Sequence, residues 1–538
     1  MNAVQACLNC HFILLFLIVE SCGKSSVPTE ETKTLPVSEV SKPTVTRENG
    51  ATVATDSVPA SVPVTPLPTP KTYFGDLGRL HVTAPVAFAP PDRGSAVLIV
   101  VDALNVRHLG AYGYERNTSP RIDAFSKQSL MLTNYIANSS WTRPSFSTII
   151  TGLTKQQHKV ELNGNTMREE IVTVAERFRS AGYHTAAFVG NPLLRQIWGF
   201  GQGFRTYEDT KSLGKAFAPD RVLADKAMQW LERVGDTPFY LMVFFTAPHV
   251  PYRPPAIYRD FLKQAPEGPV IEYPFREYTK PLSEADQARI VAAYDGEVQY
   301  VDSQIGRIID YLKRTHRLDR TSVIVTADHG ELFGRHNCYV HSWHMWEQAL
   351  RVPFLLYAPG LSQAAGLIDD RPFTHADIAP TLLHLAGLNH DIPDHMGVSI
   401  VDRLAEPLAG RNRPLFSQYN AHGVRRQAVR RGPLKLIHHH AVSPEALKHV
   451  NSLHPDIPSG DPASYPSLAL DGERYELYDL VEDPDEVVDL FAERKGSAAL
   501  EELMGTLDSV VSGATVRPTA PTLPDETLEA LRNAGYIQ

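Results

Sequence analysis

The chain of 538 residues is long enough to bury a large core, and 43% of its residues are hydrophobic. Its net charge of −9 and its lack of any long basic tract exclude the electrostatic pattern of a nucleic-acid-binding protein. Length and composition therefore predict one large domain accompanied by a smaller one.

The N-terminal residues have the pattern of an export signal. Residues 12–19 form an apolar stretch too short to span a bilayer, and a small residue precedes Cys22. This pattern resembles the lipobox of bacterial lipoproteins, in which Cys22 becomes the lipidated first residue. An ordinary signal peptide or a misread start site is the alternative, because residues 1–10 carry no Lys or Arg and Glu20 is unusual at its position. We predict a lipoprotein-type signal peptide at 1–21 and an exported protein, lipid-anchored in a bacterial cell envelope, in the periplasm or on the outer surface.

The segment that follows is rich in Pro, Thr and Ser. Residues 58–70 alone carry five prolines, which no packed helix or central strand tolerates. We therefore predict that residues 22–92 are a disordered tether that holds the remaining chain away from a surface. Cleavage before Cys22 would leave Cys338 as the one free thiol, so no internal disulfide is expected.

Four apolar runs predict strands, and each run leads into a polar residue suited to binding a ligand. The runs with their polar residues are 95–101 with Asp102, 185–189 with Asn191, 239–245 with His249, and 322–327 with Asp328 and His329. Continuous Val, Ile and Phe runs indicate a parallel sheet, and such sheets bind ligands at the carboxyl ends of their strands. These side chains should converge on one edge, where two Asp and a His suit a divalent metal ion.

Helical patterns alternate with these runs. Residues 294–316 carry apolar side chains at three- and four-residue spacing, and residues 377–387 form a helix that its terminal glycine ends. The alternation predicts a doubly wound α/β fold, a mostly parallel sheet flanked by helices. Short strand-like pieces replace this pattern further along the chain. We therefore predict a catalytic domain at 93–405 and a smaller α+β subdomain at 406–538.

A threonine stands where a helix is expected to begin. Pro144 suits the first turn of a helix, because its φ is fixed and its missing N–H would have no partner there. Thr142 would then lie at or just before the N-cap, where N–H groups can bind an anion. A hydroxyl at that point beside a divalent cation can act as a nucleophile. The alternative is that Thr142 only caps the helix, but the metal ligands predicted at the same edge favour the nucleophile.

Several motifs, in the right order, resemble those of the sulfatase family of the alkaline phosphatase superfamily, over most of the chain from about residue 95 to residue 490. They are Asp102 with residues 108–114, Thr142-x-Pro144-Ser145 with Thr151-Gly152, Pro248-His249-Val-Pro-Tyr252, Asp328-His329-Gly330-Glu331 with Phe333-Gly334-x-His336, His341 ahead of Met345-Trp-Glu347, Arg351-Val-Pro353, and Glu476-Leu-Tyr-Asp-Leu480 with Asp483-Pro484. The resemblance implies an alkaline phosphatase/sulfatase-like fold and an enzyme that acts on ester bonds.

The resemblance also implies roles for individual residues. One divalent metal ion, Zn²⁺ or Mn²⁺ rather than Ca²⁺ or Mg²⁺ in view of the His, would be bound by Asp102, Thr142, Asp328 and His329. Thr142 would be the nucleophile. His249 and His341 would face the substrate and assist the leaving group. Asn191, which stands where many sulfatases carry Lys, would also contact the substrate.

Departures from the family pattern bear on the chemistry. Sulfatases of this type need Cys or Ser at the nucleophile position, which is oxidised to formylglycine, and an Arg four residues further on. These positions hold Thr142 and Phe146 here, and oxidation of a Thr side chain would give a ketone. Ala103 also stands where many sulfatases carry a second Asp. The site thus resembles the Thr-nucleophile branch of the superfamily, which includes phosphodiesterases and phosphoglycerol transferases.

These observations predict a metal-dependent hydrolase or transferase of anionic esters, with a phosphate ester or phosphodiester as the first substrate class. A sulfuric ester hydrolase is one alternative, and a catalytically inactive lipoprotein that binds anionic glycans is another. The expected partners are a small-molecule, glycan or lipid-headgroup ester and, through the N-terminal lipid, a membrane. Nucleic acid is not expected as a partner.

Three other groups of residues, made up mostly of His and Arg, do not require a functional interpretation. A second metal site is one interpretation of His336, Cys338, His341 and His344, but substrate-facing or surface positions are favoured for some of them. The run His438-His439-His440 is expected to be solvated. The run at 425–431 is expected to form the solvated side of a strand rather than an anion site.

Overall fold

A computed structural model describes the chain from residue 77 to residue 512, with gaps. It covers residue 77 and residues 79–161, 165–213, 218–272, 281–341, 343–393, 395–452, 468 and 472–512. The predicted signal peptide, Cys22 and most of the predicted tether lie outside these residues. No helix within the described ranges combines the length and the apolar composition needed to cross a membrane.

The strands of the described residues form two main sheets. In chain order they are β1 Ser95–Val101, β2 Leu130–Leu132, β3 Tyr135–Ile136, β4 His184–Val189, β5 Thr206–Glu208, β6 Phe239–Phe245, β7 Thr321–Ala327, β8 Leu332–Phe333, β9 Tyr339–Val340, β10 Phe354–Tyr357, β11 Ile368–Asp369, β12 Phe373–Thr374, β13 Leu415–Ala421, β14 Val424–Arg431, β15 Leu434–His439 and β16 Arg474–Asp479.

The larger sheet has eight strands in the order β11-β2-β10-β7-β1-β6-β4-β5. Strands β7, β1, β6, β4 and β5 run parallel, whereas β10 pairs antiparallel with both β7 and β2. Every residue of β1, β6 and β7 is buried, as expected for continuous apolar runs covered on both faces. The predicted doubly wound, mostly parallel fold is therefore confirmed.

Helices pack around the two sheets. They are α1 Pro120–Ser126, α2 Thr142–Thr151, α3 Lys155–His158, α4 Val174–Ser180, α5 Asp220–Val234, α6 Asp260–Gln264, α7 Glu284–Arg314, α8 Glu347–Leu350, α9 Ile378–Leu385, α10 Ile400–Ala405, α11 Pro444–Ser452 and α12 Ala498–Ser512. Helices α1, α5 and α6 pack on α7, and a second group contains α2, α4, α9 and α10. Helix α7 begins ten residues before the predicted residue 294. The apolar pattern did not reveal this start because the first turn is polar. Ser283 caps the helix by accepting from the N–H of Asp286.

The last part of the predicted tether belongs to the folded structure. The N–H of Val82 donates to the carbonyl of Ile368 at 2.8 Å, and the N–H of Val86 donates to that of Leu404 at 2.9 Å. Both valines are buried. The prediction of a disordered tether up to residue 92 is therefore wrong for these residues, because their apolar side chains find partners that only the fold supplies.

The smaller sheet is antiparallel, in the order β13-β14-β15-β16. Leucines of α12 cover one face, and residues such as Trp343 and Met345 pack against the other. Because both faces are covered, the predictions of solvated basic runs fail here. Arg426 and Arg430 are buried on β14, and His438 and His439 are buried on β15.

Candidate active site

Two aspartates lie side by side at the carboxyl edge of the large sheet. Strands β1 and β7 pair in parallel up to Val101 and Ala327, so the residues that follow them, Asp102 and Asp328, lie on adjacent strand ends. Both carboxylates are fully buried. The convergence expected from the strand ends is therefore present.

His329 completes this group. Its Nε2 lies 3.6 Å from Asp102 Oδ1 and 3.5 Å from Asp328 Oδ2. Its Nδ1 lies 2.9 Å from the carbonyl oxygen of Gly330 and donates to it, so in the neutral ring the lone pair of Nε2 faces the carboxylates. Burial lowers the pKa of His329 to about 4, which keeps the ring neutral near pH 7. This is the form that binds a metal ion.

The hydrogen bonds that the two carboxylates accept determine which of their oxygens are left to bind a cation. Asp102 Oδ2 accepts from Asn191 Nδ2 at 2.6 Å, and Asp328 Oδ1 accepts from the N–H groups of Ala103 and His329 at 3.1 and 2.8 Å. The other two oxygens, Asp102 Oδ1 and Asp328 Oδ2, are buried and accept no hydrogen bond from the described residues. They face His329 Nε2, and all three ligand atoms lie within 4.8 Å of one another.

The electrostatics of the pair also call for a cation. Burial, followed by repulsion from Asp328, raises the pKa of Asp102 well above its usual value. Burial raises the pKa of Asp328 to about 7, against the opposing effect of the N–H groups of Ala103 and His329. Two buried carboxylates cannot both ionise without compensation. The donor set and the two unpaired oxygens therefore fit one divalent ion.

Thr142 lies next to this group. It is the first residue of α2, with Trp141 as the extended N-cap, so the helix begins at the predicted threonine rather than just after it. The side chain is buried, and Oγ1 lies 3.3 Å from His329 Nε2. The hydroxyl thus lies both at the positive end of a helix and beside the candidate metal ligands.

Asn191 supports the metal group directly. Its Nδ2 donates to Asp102, and its Oδ1 accepts from the N–H of Leu193 at 2.8 Å, where a short 3₁₀ turn begins. The side chain is buried. The structure therefore brings Asn191 to the predicted edge as a partner of Asp102, while its contact with substrate remains a prediction.

His249 and His341 lie in a row with His329. The ring centroids of His249 and His341 are 5.0 Å apart, and those of His341 and His329 are 4.2 Å apart. The Nδ1 atom of His249 lies 2.7 Å from the carbonyl oxygen of Val250, and that of His341 lies 3.1 Å from Glu331 Oε1. Each of these Nδ1 atoms faces an acceptor, so in the neutral rings the Nε2 atoms carry the lone pairs.

Two carboxylates that position these histidines were not singled out from the sequence. Glu331 is fully buried and also accepts from the hydroxyl of Tyr252 at 3.0 Å. Asp220 accepts from the N–H groups of Thr246 and Ala247 at 2.8 and 3.0 Å, which fixes the segment that leads to His249. The block Asp328–Glu331 contained a hint of the first, whereas no local pattern marks Asp220, because its partners are distant in the chain.

The two positions that depart from the family pattern are filled without a cation. Phe146 is fully buried, and its ring meets those of Phe200 and Phe244 edge to face at 5.3 and 5.6 Å. Ala103 has a positive φ of 56°, and its N–H donates to Asp328. An apolar core and a backbone bond therefore take the places of charged side chains.

The suggested second metal cluster has a different arrangement. The indole of Trp346 stacks with the rings of His336 and His344, with centroids 4.0 and 4.9 Å apart. His341 is paired with Glu331, and the Sγ of Cys338 contacts the carbonyl of His336. Within the described ranges, no group of ligand atoms close enough to share a metal ion includes these four residues.

Comparison with known proteins identifies the family of this chain. A family model described as Sulfatase matches residues 95–388, more than half of the chain. The ulvan-active sulfatase of Formosa agariphila is 25% identical over 56% of this chain, which spans 63% of that protein's length. The choline-sulfatase of Rhizobium meliloti is 25% identical over 82% of this chain and 92% of its own.

Solved structures show the same fold. A structure in complex with D-glucosamine-2-N,6-O-disulfate superposes with a TM-score of 0.63 at 19% identity, over 79% of this chain and 98% of that one. The phosphonate monoester hydrolase of Agrobacterium radiobacter gives a TM-score of 0.60 at 21% identity, over 78% and 95%. With the family model, these findings show that the chain belongs to the sulfatase family of ester hydrolases.

Proposed function

We propose that this protein is a metal-dependent hydrolase of anionic esters in which Thr142 is the nucleophile. The observation that carries the proposal is the position of Thr142 Oγ1, 3.3 Å from His329 Nε2. The same nitrogen lies near two buried carboxylate oxygens, Asp102 Oδ1 and Asp328 Oδ2, that accept no hydrogen bond from the described residues. A helix N-terminus behind it favours the negative charge of an anionic ester.

The bond changes follow from this placement. The Thr142 proton is lost to solvent, and the alkoxide forms a bond to sulfur or phosphorus while the bond to the leaving oxygen breaks. Nε2 of His249 or His341, which carries a lone pair in the neutral ring, first takes up a proton from solvent and then gives it to that oxygen as it departs. Water then attacks the threonyl ester and releases the inorganic anion, which restores the hydroxyl. A divalent ion bound by Asp102, Thr142, Asp328 and His329 would supply Lewis acidity that lowers the pKa of the hydroxyl.

Sulfate esters are the first candidate substrates, because the relatives are mainly sulfatases. Relatives named for their substrates include an ulvan-active sulfatase and a choline-sulfatase, and a solved relative carries a sulfated glucosamine. These names support an anionic ester on a glycan or a small molecule.

Phosphate and phosphonate esters are the second candidate, and Thr142 with Phe146 favours them. A threonine cannot become formylglycine, the nucleophile that sulfatases of this type need, because oxidation of its side chain gives a ketone. Phosphonate monoester hydrolases of Agrobacterium radiobacter and Silicibacter pomeroyi share the fold. For the metal we propose Zn²⁺ or Mn²⁺, because His329 adds a borderline nitrogen to two carboxylates.

A panel of esters with one leaving group tests both candidates. The full-length protein, loaded in turn with Zn²⁺, Mn²⁺, Ca²⁺ or Mg²⁺, would be assayed with 4-nitrophenyl sulfate, phosphate, phosphodiester and phenylphosphonate. The highest kcat/KM identifies the ester class, because the leaving group is constant. Failure to turn over any ester with any metal, while sulfated or phosphorylated glycans bind, would favour the inactive glycan-binding alternative.

We also propose that the protein is exported and anchored through Cys22. The support is the apolar stretch at 12–19 followed by Cys22 and a Pro-rich segment. Mass spectrometry of the mature N-terminus should show an acylated Cys22, and Cys22→Ala should leave the leader uncleaved. An unmodified N-terminus in the wild-type protein would contradict this.

A further inference from the structure

The run of three histidines at the end of β15 has two different faces. His438 and His440 are two residues apart on an extended segment, so their side chains share one face, while His439 faces the opposite side. His439 Nε2 lies 3.3 Å from Glu476 Oε1. The other two rings stand together, with centroids 3.9 Å apart.

A glutamate joins the two rings that share a face. His438 Nε2 lies 3.2 Å from Glu473 Oε2, and His440 Nδ1 lies 3.4 Å from Glu473 Oε1. All three ligand atoms lie within 4.8 Å of one another. Two ligand atoms about 2.0–2.1 Å from a zinc ion at a tetrahedral angle are about 3.3 Å apart. The two separations observed here, each to a different oxygen of Glu473, are close to this length.

The tautomer of His440 independently points to a cation. Its Nε2 lies 2.8 Å from Gln427 Oε1 and donates to that carbonyl oxygen. In the neutral ring, Nδ1 then carries a lone pair that faces the Glu473 carboxylate, and two acceptors face each other. A bond from the far ring nitrogen to a carbonyl is how proteins orient a metal-binding imidazole.

The surroundings hold the site in place and leave it open. The His438 ring stacks on Tyr475 of β16, with centroids 4.1 Å apart, which restricts its rotation. The Glu473 side chain is 55% exposed, so an ion can enter from solvent. The chain leaves the sheet at His440 and returns at Glu473, just before β16. A metal ion here would link the two ends of the long connection between β15 and β16. A cross-link across a long loop removes the most conformational entropy from the unfolded chain and so gains the most stability.

We propose that His438, His440 and Glu473 form a zinc-binding site on the C-terminal sheet. Two imidazoles and one carboxylate bind the ion, and water takes the fourth position. Gln427 is a positioning residue that sets the tautomer of His440. None of these residues takes part in the proposed ester hydrolysis, so this site does not depend on the proposed function. Its role is to stabilise the C-terminal sheet.

Zinc titration of the full-length protein against a chromogenic chelator tests this. The Asp328→Asn variant is the background, because it removes a ligand of the candidate active site. We expect this background to bind one zinc ion, and to lose at least tenfold in affinity when Glu473→Gln is added. Gln427→Leu should cost about 10- to 100-fold, as outer-shell changes do. The matched control is Glu482→Gln, a change of an exposed glutamate in the same subdomain that should leave binding unchanged.

Two results would overturn the proposal. One is a background protein that binds no zinc, which would leave an ordinary ion pair between Glu473 and the histidines. The other is zinc that persists in Glu473→Gln but disappears in Asp402→Asn, since His384, His390 and Asp402 form another group of close ligand atoms. Circular dichroism of each variant confirms that the sheet is folded.

Discussion

Two groups of buried acidic residues in this molecule face opposite electrostatic surroundings. At the edge of the large sheet, no Lys or Arg of the described residues forms an ion pair with Asp102 or Asp328, and the pKa of Asp328 rises to about 7 through burial. Below the C-terminal sheet, Glu347 is paired with Lys435 at 3.1 Å and with Arg430 at 3.0 Å. Burial opposes ionisation of Glu347, but Lys435 and Arg430 outweigh it and lower its pKa to about 2.

The charges of the Glu347 group stabilise the fold, whereas those of the aspartate pair are available to bind a ligand. The Glu347 group holds α8, and through it the segment after His341, against β14 and β15, and Lys435 also pairs with Glu486 at 2.7 Å. Its cations belong to the chain, so it is complete on folding. The aspartate pair is left incomplete, which fits a site that acquires its cation from solution.

The largest expected effect is on catalysis at the incomplete group. Thr142→Ala should lower kcat on the order of a thousandfold or more, because it removes the nucleophile. Thr142→Ser should keep part of the activity, since the hydroxyl remains. Steady-state rates on the best ester, with Thr148→Ala in the same helix as a control, measure this. Undiminished activity of Thr142→Ala would redirect the mechanism to a water nucleophile.

The second expected effect is on metal content. Asp328→Asn should remove the ion from the active site and abolish turnover, because one of the two facing charges is lost. Asp302→Asn is the matched control: Asp302 is also buried and accepts from the N–H of Ile122 at 2.7 Å, but lies outside the site. Elemental analysis and activity are read together. Equal turnover of wild-type and chelated protein would argue against the metal.

The complete group should show its effect in stability instead. Lys435→Met leaves Glu347 and Glu486 without their shared cation, and breaking a buried ion pair costs about 3–5 kcal/mol. The control is Arg431→Met, which removes a partly exposed pair with Glu502 and should cost about 0–1 kcal/mol. Chemical denaturation gives both free energies of unfolding. Equal losses of unfolding free energy in the two variants would mean that the buried ion pair stabilises the fold no more than the exposed one.

The smallest expected effect is a pH dependence. Burial, followed by the charge of Asp220, raises the pKa of Glu297 to about 8. The folded state then holds a proton that the unfolded state releases near pH 4.3, so the contribution of this group to stability falls as pH rises from about 4.3 to about 8. Glu297→Gln should flatten that decline, whereas exposed Glu482→Gln should not. Parallel curves for wild type and Glu297→Gln, from melting at several pH values, would contradict this.

Much of the fold and the candidate metal ligands could be predicted from local sequence patterns. The runs that became β1 and β6 match the strands residue for residue. Asp102, Asp328 and His329 could be placed together because parallel strands end at one edge, which is a rule of topology that needs no coordinates. Thr142 could be placed because Pro144 marks the start of a helix.

Only the tertiary structure decided which polar side chains are buried and with what partners. The sequence around Arg430 predicts a solvated strand residue, but in the fold Glu347 of α8 pairs with it. His438 is likewise buried, because Tyr475 of β16 and the preceding Glu473 contact it. The partners of Asp220 and Glu331 are likewise set by packing between distant segments. Periodicity reports the face on which a residue lies, but burial depends on what covers that face, and here α12 and the segment around Trp343 cover both faces of the C-terminal sheet.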